Sequence, residues 1–476
     1  MRSDSKIREA LLWRLNAMEA AALLQSREIS SRELVQSCLD RLDAVNALIN
    51  AVVVEMRDQA LADADAADAA QARGEPVGRL HGLPVTVKIN TDQAGWPHND
   101  GVAAYNDNIA ERDAPVIDHM RREGAIFIGR TNAPAFSMRW FTGNALYGET
   151  RNPWAFDRTP GGSSGGAAAA VAVGIGPIAQ GNDIAGSVRY PAYCCGVVGL
   201  RPTMARVPMY SPKSKSSLSL GAQFMAAQGP LARRVADAQL AFDVMAQPHP
   251  RDPRVMRVGA YPPPPPDARI AIVPSPSGGP NSAASIEAVL SAGRALEAAG
   301  YVVEEAEPPE LEHAARLWGD IAGPDTLALV EPAVEAYGDE AVRRGMKHWR
   351  GAWPQRDPGL TVEAIGDRLR ILRLWGAFFE RYHAMILPTC TEPPFAWDED
   401  TRDQDSMDKI ITAQRTMLAV SVLGLPGLSV PTGVSDNLPT GVQIVAPPFR
   451  EDICFLLGAR IEAAHAMPTP IDPRGY

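Results

Sequence analysis

Twice along this chain an apolar, strand-like run leads into a capped helix, then a glycine, then a second apolar run. The first unit is Val85–Ile89, a helix opened by Asp113 with Pro115 in its first turn and Gly124 just past its end, then Ala125–Gly129. The second is Arg269–Val273, a helix from Ser282 to Ala299 closed by Gly300, then Tyr301–Glu304. Proline suits a first helical turn, and glycine suits the left-handed residue that ends a helix. Strands joined through a helix run parallel, because the crossover returns the chain to the same end of the sheet. The alternation therefore specifies an α/β chain whose sheet is largely parallel and covered by helices on both faces.

The first 75 residues read as helical. Ser30-Ser31-Arg32-Glu33-Leu34 resembles a capping box and is followed by an amphipathic run through Leu42. Ala60 to Ala72 alternates alanine with aspartate in a helix-favouring composition. Pro262 to Pro266 cannot be helical and reads as a stiff surface crossing between two halves of one sheet.

Composition narrows the partners. With 46% apolar and 21% charged residues over 476 positions, the chain can bury a core without disulfides. Its formal charge of −10 argues against a nucleic-acid or anionic-membrane surface, both of which want clustered Lys and Arg. The five cysteines have no metal spacing, and neighbouring Cys194 and Cys195 are poorly placed to pair, so reduced thiols in the cytoplasm are expected. The start of the chain carries charges throughout, unlike a signal peptide, and the apolar run Ala167–Val173 is too short to span a bilayer.

The chemistry concentrates in two glycine-flanked serines and a lysine. Ser163 lies in Gly161-Gly162-Ser163-Ser164-Gly165-Gly166, and Ser187 lies in Asp183-Ile184-Ala185-Gly186-Ser187-Val188-Arg189. Glycine lets main-chain N–H groups crowd a reacting carbonyl, since no Cβ blocks the approach. A serine also needs a base. Lys88 ends the apolar run Leu83-Pro84-Val85-Thr86-Val87, and burial there would favour its neutral amine. A phosphate cradle is the competing reading of Gly161–Gly166, but no Gly-Lys-Ser/Thr ending follows. The eight histidines form no nucleophile-elbow pattern, His81 and His98 suit core or surface roles, and no metal or cofactor is expected.

Gly161 to Pro202 resembles the diagnostic segment of the amidase signature family, which includes fatty acid amide hydrolase and bacterial amidases. Gly82–Lys88 resembles that family's lysine strand. Thr131-Asn132, Gly148-Glu149-Thr150-Arg151-Asn152-Pro153 and Leu438–Ile444 are similar to family motifs in the same order. The spacings, 75 residues from Lys88 to Ser163 and 24 from Ser163 to Ser187, also fit. The resemblance implies a single α/β/α layered domain over 1–476 with a large, twisted, mixed but mostly parallel sheet. Within it, 1–75 is a helical cover, 76–260 the catalytic core, and 267–476 the second half of the sheet with the substrate-pocket segments.

The same resemblance implies Ser187 as nucleophile, Ser163 as relay at a cis bond after Gly162, and Lys88 as base. It implies an oxyanion hole from the N–H groups of Ile184, Ala185, Gly186 and Ser187, braced by an Asp183–Arg189 salt bridge. The implied substrate is a small organic amide, and a homodimer is compatible with the family. Three positions depart from the commonest pattern: Ala185 stands where glycine is usual, Asn182 where Thr or Ser is, and Ile89 where Asp is. Trp96, Trp140, Phe141 and Tyr147 are candidates for an aromatic acyl pocket. Ala314 to Asp405, with Trp318, Trp353, Trp375 and Trp397, matches the family least and is where substrate choice is expected. Two alternatives stand beside the stand-alone amidase. One is the amidase component of a tRNA-dependent amidotransferase complex; the other is a silent relative that only binds.

Overall fold

The computed structural model describes residues 11–212, 219–265, 267–353 and 358–474. Eleven strands form its main sheet: β1 (Val52–Glu55), β2 (Pro84–Lys88), β3 (Ile126–Thr131), β4 (Ile178–Asp183), β5 (Val198–Arg201), β6 (Ala227–Ala232), β7 (Arg269–Ile272), β8 (Val302–Glu305), β9 (Ala384–Pro388), β10 (Gly427–Ser435) and β11 (Leu438–Val445). They lie in the order β1-β3-β2-β4-β6-β5-β10-β11-β9-β7-β8. Strands before and after the proline run therefore share one sheet; residues 262–265 of that run carry no regular structure, and Pro266 lies outside the described residues.

The fold is mixed α/β, as expected, but the parallel pairs sit only on the flanks. β3-β2-β4 and β9-β7-β8 are parallel, whereas every pair from β4 through β6, β5, β10 and β11 to β9 is antiparallel. The two strand–helix–strand units lie on these flanks. The central strands are joined by other routes, including the tight turn at Asp436-Asn437 between β10 and β11, where both residues are left-handed. The sheet is thus not mostly parallel.

Side-chain alternation divides the molecule into two cores. In β9, Ala384 and Ile386 face one core while Met385 and Leu387 face the other; in β7, Ile270 and Ile272 oppose Ala271. This is the period-two signature of a sheet covered on both faces.

The helices follow their local signals. Helix α1 (Ser31–Ile49) opens with a reciprocal capping box: Ser30 Oγ accepts from the Glu33 N–H, and the Glu33 carboxylate accepts from the Ser30 N–H at 2.7 Å. Such a cap contributes about 1 kcal/mol. Helix α2 (Arg57–Ala72) follows, but between the two lies β1, an edge strand antiparallel to β3, inside the segment expected to be helical throughout. Its Val52-Val53-Val54 run is β-branched and favours extended backbone. Helix α3 (Pro115–Arg122) has Pro115 in its first turn, yet Asp113 does not cap it. The Asp113 carboxylate instead accepts from the Ala94 N–H at 2.8 Å and from Arg121 Nε at 2.8 Å.

Helix α4 (Gly165–Val173) is entirely buried, its alanines allowing close approach on every side, and α5 (Arg189–Cys195) is equally enclosed. Helix α6 (Ala283–Ala298) is capped by Ser282, as the sequence implies. Between β8 and β9 the chain makes a long helical excursion that includes α7 (Leu311–Asp325), α8 (Glu340–Ala352) and α9 (Pro358–Arg381). Helix α7 packs against α10 (Arg415–Val422) on the face that carries the site. No helix among the described residues is long and apolar enough to cross a membrane.

Candidate active site

Lys88 owes its position to strand alternation. Val85 and Val87 enter one core, so Thr86 and Lys88 point to the other face. Strand β2 pairs in parallel with β4, Val87 opposite Gln180, which sets Lys88 beside the end of β4. Its side chain is fully buried. Nζ donates to Ser163 Oγ at 2.7 Å and to Asn182 Oδ1 at 2.8 Å. Burial lowers the Lys88 pKa to about 7, against the opposing pull of the Asp100 and Asp183 carboxylates. The amine is therefore available in neutral form near neutral pH.

Ser163 follows a cis peptide bond at Gly162 and is almost completely buried. A Cβ on Gly162 would come within 2.5 Å of the Arg139 carbonyl oxygen, so only glycine lets this loop lie against residues 139–141. The neighbouring Ser164 N–H donates to the Ser187 carbonyl at 3.2 Å, stitching the two serine segments together.

The Ser187 loop is built around one carboxylate. Asp183 accepts from the Gly186 N–H at 2.8 Å and the Val188 N–H at 3.1 Å, and it pairs with Arg189 and Arg201. Burial alone would raise this carboxyl, but Arg189 above all, with Arg201 and the Gly186 N–H, holds it at about 2. Arg189 also reaches Ser421 Oγ at 2.7 Å and Gln443 Oε1 at 3.1 Å, which gives the late Leu438–Ile444 motif a bracing part in the site. Gly186 has φ of +100°, and a Cβ there would meet Met417 Sδ at 2.7 Å.

This geometry narrows the expected oxyanion hole. The Gly186 N–H is engaged with Asp183, whereas the N–H groups of Ile184, Ala185 and Ser187 find no acceptor among the described residues. The Gly186 expectation is corrected for that reason: its amide braces the loop. Two indoles grip the other side of the loop, Trp318 Nε1 donating to the Ile184 carbonyl at 2.8 Å and Trp140 Nε1 to the Ala185 carbonyl at 2.9 Å.

Of the four aromatic pocket candidates, Trp140 is the one with a hydrogen bond to the loop among the described residues. Phe141 is fully buried in the core and has no surface with which to line a pocket. Trp96 packs against the core on the opposite face of the sheet. The Tyr147 hydroxyl accepts from Asn99 at 2.5 Å and its carbonyl from Asn50 at 2.8 Å, so it orders a loop.

A polar chain behind the lysine has no counterpart in the sequence reading. Asn182 Nδ2 donates to Asn90 Oδ1 at 2.8 Å, Asn90 Nδ2 donates to Ser137 Oγ at 2.9 Å, and Ser137 Oγ donates to Asp100 Oδ1 at 2.7 Å. In the sequence Asn182 stands out only as a departure from the family pattern; here it orients the amine. No group of His, Cys, Asp and Glu among the described residues is arranged to hold a metal ion.

With this arrangement in place, the amidase family profile matches residues 33–455. The chain belongs to the amidase family. It is 40% identical over 455 residues to an indoleacetamide hydrolase of Bradyrhizobium diazoefficiens, covering 95% of this chain and 86% of that one. It is 33% identical to an acylamidase of Rhodococcus erythropolis, covering 95% and 96%. Among solved structures, 6-aminohexanoate cyclic dimer hydrolase bound to its substrate superposes with a TM-score of 0.83 at 27% identity, covering 97% of this chain and 99% of that one. The amidase is a hydrolase of carbon–nitrogen amide bonds, and its substrates are small molecules.

Proposed function

We propose that this amidase cleaves the carboxamide of a small aryl-substituted acid, represented by indoleacetamide, through an acyl-enzyme on Ser187. The observation that carries the mechanism is the 2.7 Å hydrogen bond from a fully buried Lys88 to Ser163, within a segment tied to Ser187. Neutral Lys88 takes the Ser163 proton as Ser163 takes that of Ser187. Ser187 Oγ then bonds to the amide carbon, and the carbonyl electron pair moves to oxygen. The N–H groups of Ile184, Ala185 and Ser187 stabilise that charge, an effect worth about 3 kcal/mol per donor. The relay returns the proton to nitrogen as the C–N bond breaks, which matters because an amide nitrogen leaves poorly as an anion. Water, activated by the same relay, hydrolyses the ester and frees the acid.

The aryl preference rests on the resemblance to indoleacetamide hydrolase and on the tryptophans flanking the nucleophile loop. The test is ammonia release from indoleacetamide, phenylacetamide, acetamide and glutamine by the wild type and by Ser187→Ala. Turnover of the aryl amides that vanishes in the variant is expected. Turnover of glutamine alone would overturn this reading in favour of a component of an amidotransferase.

A further inference from the structure

The two indole contacts look equivalent, but the peptide units they hold are not. Neither the 184–185 nor the 185–186 bond is cis, so in each unit the carbonyl and the N–H point in opposite directions. The 185–186 unit is held at both ends: Trp140 takes its carbonyl, and Asp183 takes its N–H, that of Gly186. The 184–185 unit is held at one end only. Trp318 takes the Ile184 carbonyl at 2.8 Å, and the opposite end, the Ala185 N–H, is left unengaged beside Ser187.

We infer that Trp318 is a positioning residue for the oxyanion hole, aiming and polarising the Ala185 N–H through the Ile184 carbonyl. A hydrogen bond accepted at a carbonyl strengthens the N–H of the same peptide unit as a donor. The indole is itself held in place. Trp349 packs edge-on to it with ring centroids 6.3 Å apart, Trp353 lies at 5.4 Å, and Trp349 and Trp353 lie 5.2 Å from each other. Gly319 permits this packing, because a Cβ there would fall 1.7 Å from Trp353 Nε1. Trp318 also stands on α7, in the long excursion from the sheet, so a segment remote in sequence from the serine and lysine motifs directs one donor at the reacting centre. The inference rests on the serine-amidase reading above.

Trp318→Phe keeps an aromatic ring and removes the N–H. Four quantities are compared with wild type: kcat and KM for indoleacetamide, the Ki of a trifluoromethyl ketone analogue that forms an oxyanion on Ser187, and the Kd of neutral 3-methylindole. The expected result is a kcat lower by about 10- to 100-fold, less than loss of a donor itself, with the ketone weakened by a similar factor. KM and the Kd of 3-methylindole stay within about 3-fold, since neither ground state carries the oxyanion charge. An unchanged kcat, or ketone and 3-methylindole weakened together, would overturn the inference and leave Trp318 as pocket wall. If the phenylalanine variant does not fold, benzothienylalanine at position 318 replaces the N–H with sulfur at nearly constant shape, and the same comparison applies. A wild type that hydrolyses no amide contradicts the serine-amidase reading instead, and that outcome is seen before any variant is made.

Discussion

Arg189 spans the whole Asp183 carboxylate: Nε lies 3.0 Å from one oxygen and Nη2 3.0 Å from the other, and neither side chain has any exposed surface. Arg201, also fully buried, stands 3.8 Å away. Asp183→Asn would leave two buried guanidinium groups without their anion and weaken the grip on the Gly186 N–H. Breaking a buried pair in this way costs about 3–5 kcal/mol. An unfolding free energy lowered by that amount, measured by urea denaturation, is expected at neutral pH. Because the folded carboxyl sits at about 2, below its unfolded value, the contribution is fully present above about pH 4 and is lost as pH falls from there through 2. The variant and wild type should therefore converge in stability under acid.

The Lys88 pKa of about 7 makes activity a function of the neutral amine, so kcat/KM should rise with pH through that value and then level off. Asn182→Asp would set a carboxylate where the amide oxygen now lies, 2.8 Å from Nζ. An adjacent opposite charge favours the ammonium by about 1–3 pH units. The rising limb should move up by that much, while the high-pH plateau falls little. An unmoved limb would mean that some other group titrates there.

Ser187→Ala and Ser163→Ala should fail differently. The first removes the attacking oxygen, so no covalent acyl-enzyme is seen by intact-protein mass spectrometry. The second leaves the nucleophile but removes its proton acceptor, lowering kcat by about 10²–10⁴-fold while an acyl adduct still forms slowly. Adducts of equal rate in wild type and Ser163→Ala would exclude the relay.

Gly186→Ala combines two faults, a φ of +100° and a Cβ 2.7 Å from Met417 Sδ. The backbone strain alone is about 1–3 kcal/mol. Pairing the change with Met417→Ala should recover part of the melting temperature but not the rate, since the loop amides stay displaced. Recovery of the rate as well would mean that the clash, and not the backbone conformation, is decisive.

The parts of this molecule legible in the sequence are those encoded over a few residues. The Ser30 capping box, the Ser282 cap and the Val85–Ile89 strand are each specified by neighbours within a turn or a pleat. The two serines and the lysine are legible because the glycines around them have a chemical reason to be there. What stays hidden depends on topology. Trp318 meets a carbonyl 134 positions away, and Asn182 meets Asn90 across 92, distances that no local periodicity encodes. The central antiparallel strands are hidden because glutamine, glycine and proline interrupt them, as in Ile178–Asp183 and Ala227–Ala232, so no apolar run marks them. β1 is hidden for a simpler reason, since four extended residues between two strong helical patterns are easily absorbed into them.

The pairing of β2 with β4 has a consequence for how this protein can change. Neighbouring strands sit about 4.8 Å apart, and side chains flip sides with every step along a strand. The separation between the Lys88 amine on β2 and the Asn182 oxygen on β4 that accepts from it is therefore a measurement taken by the sheet, with hydrogen-bonded rungs as its graduations. Insertions in surface segments leave that ruler untouched. A single residue added within β2 would turn Lys88 toward the wrong core and silence the enzyme without altering one catalytic group.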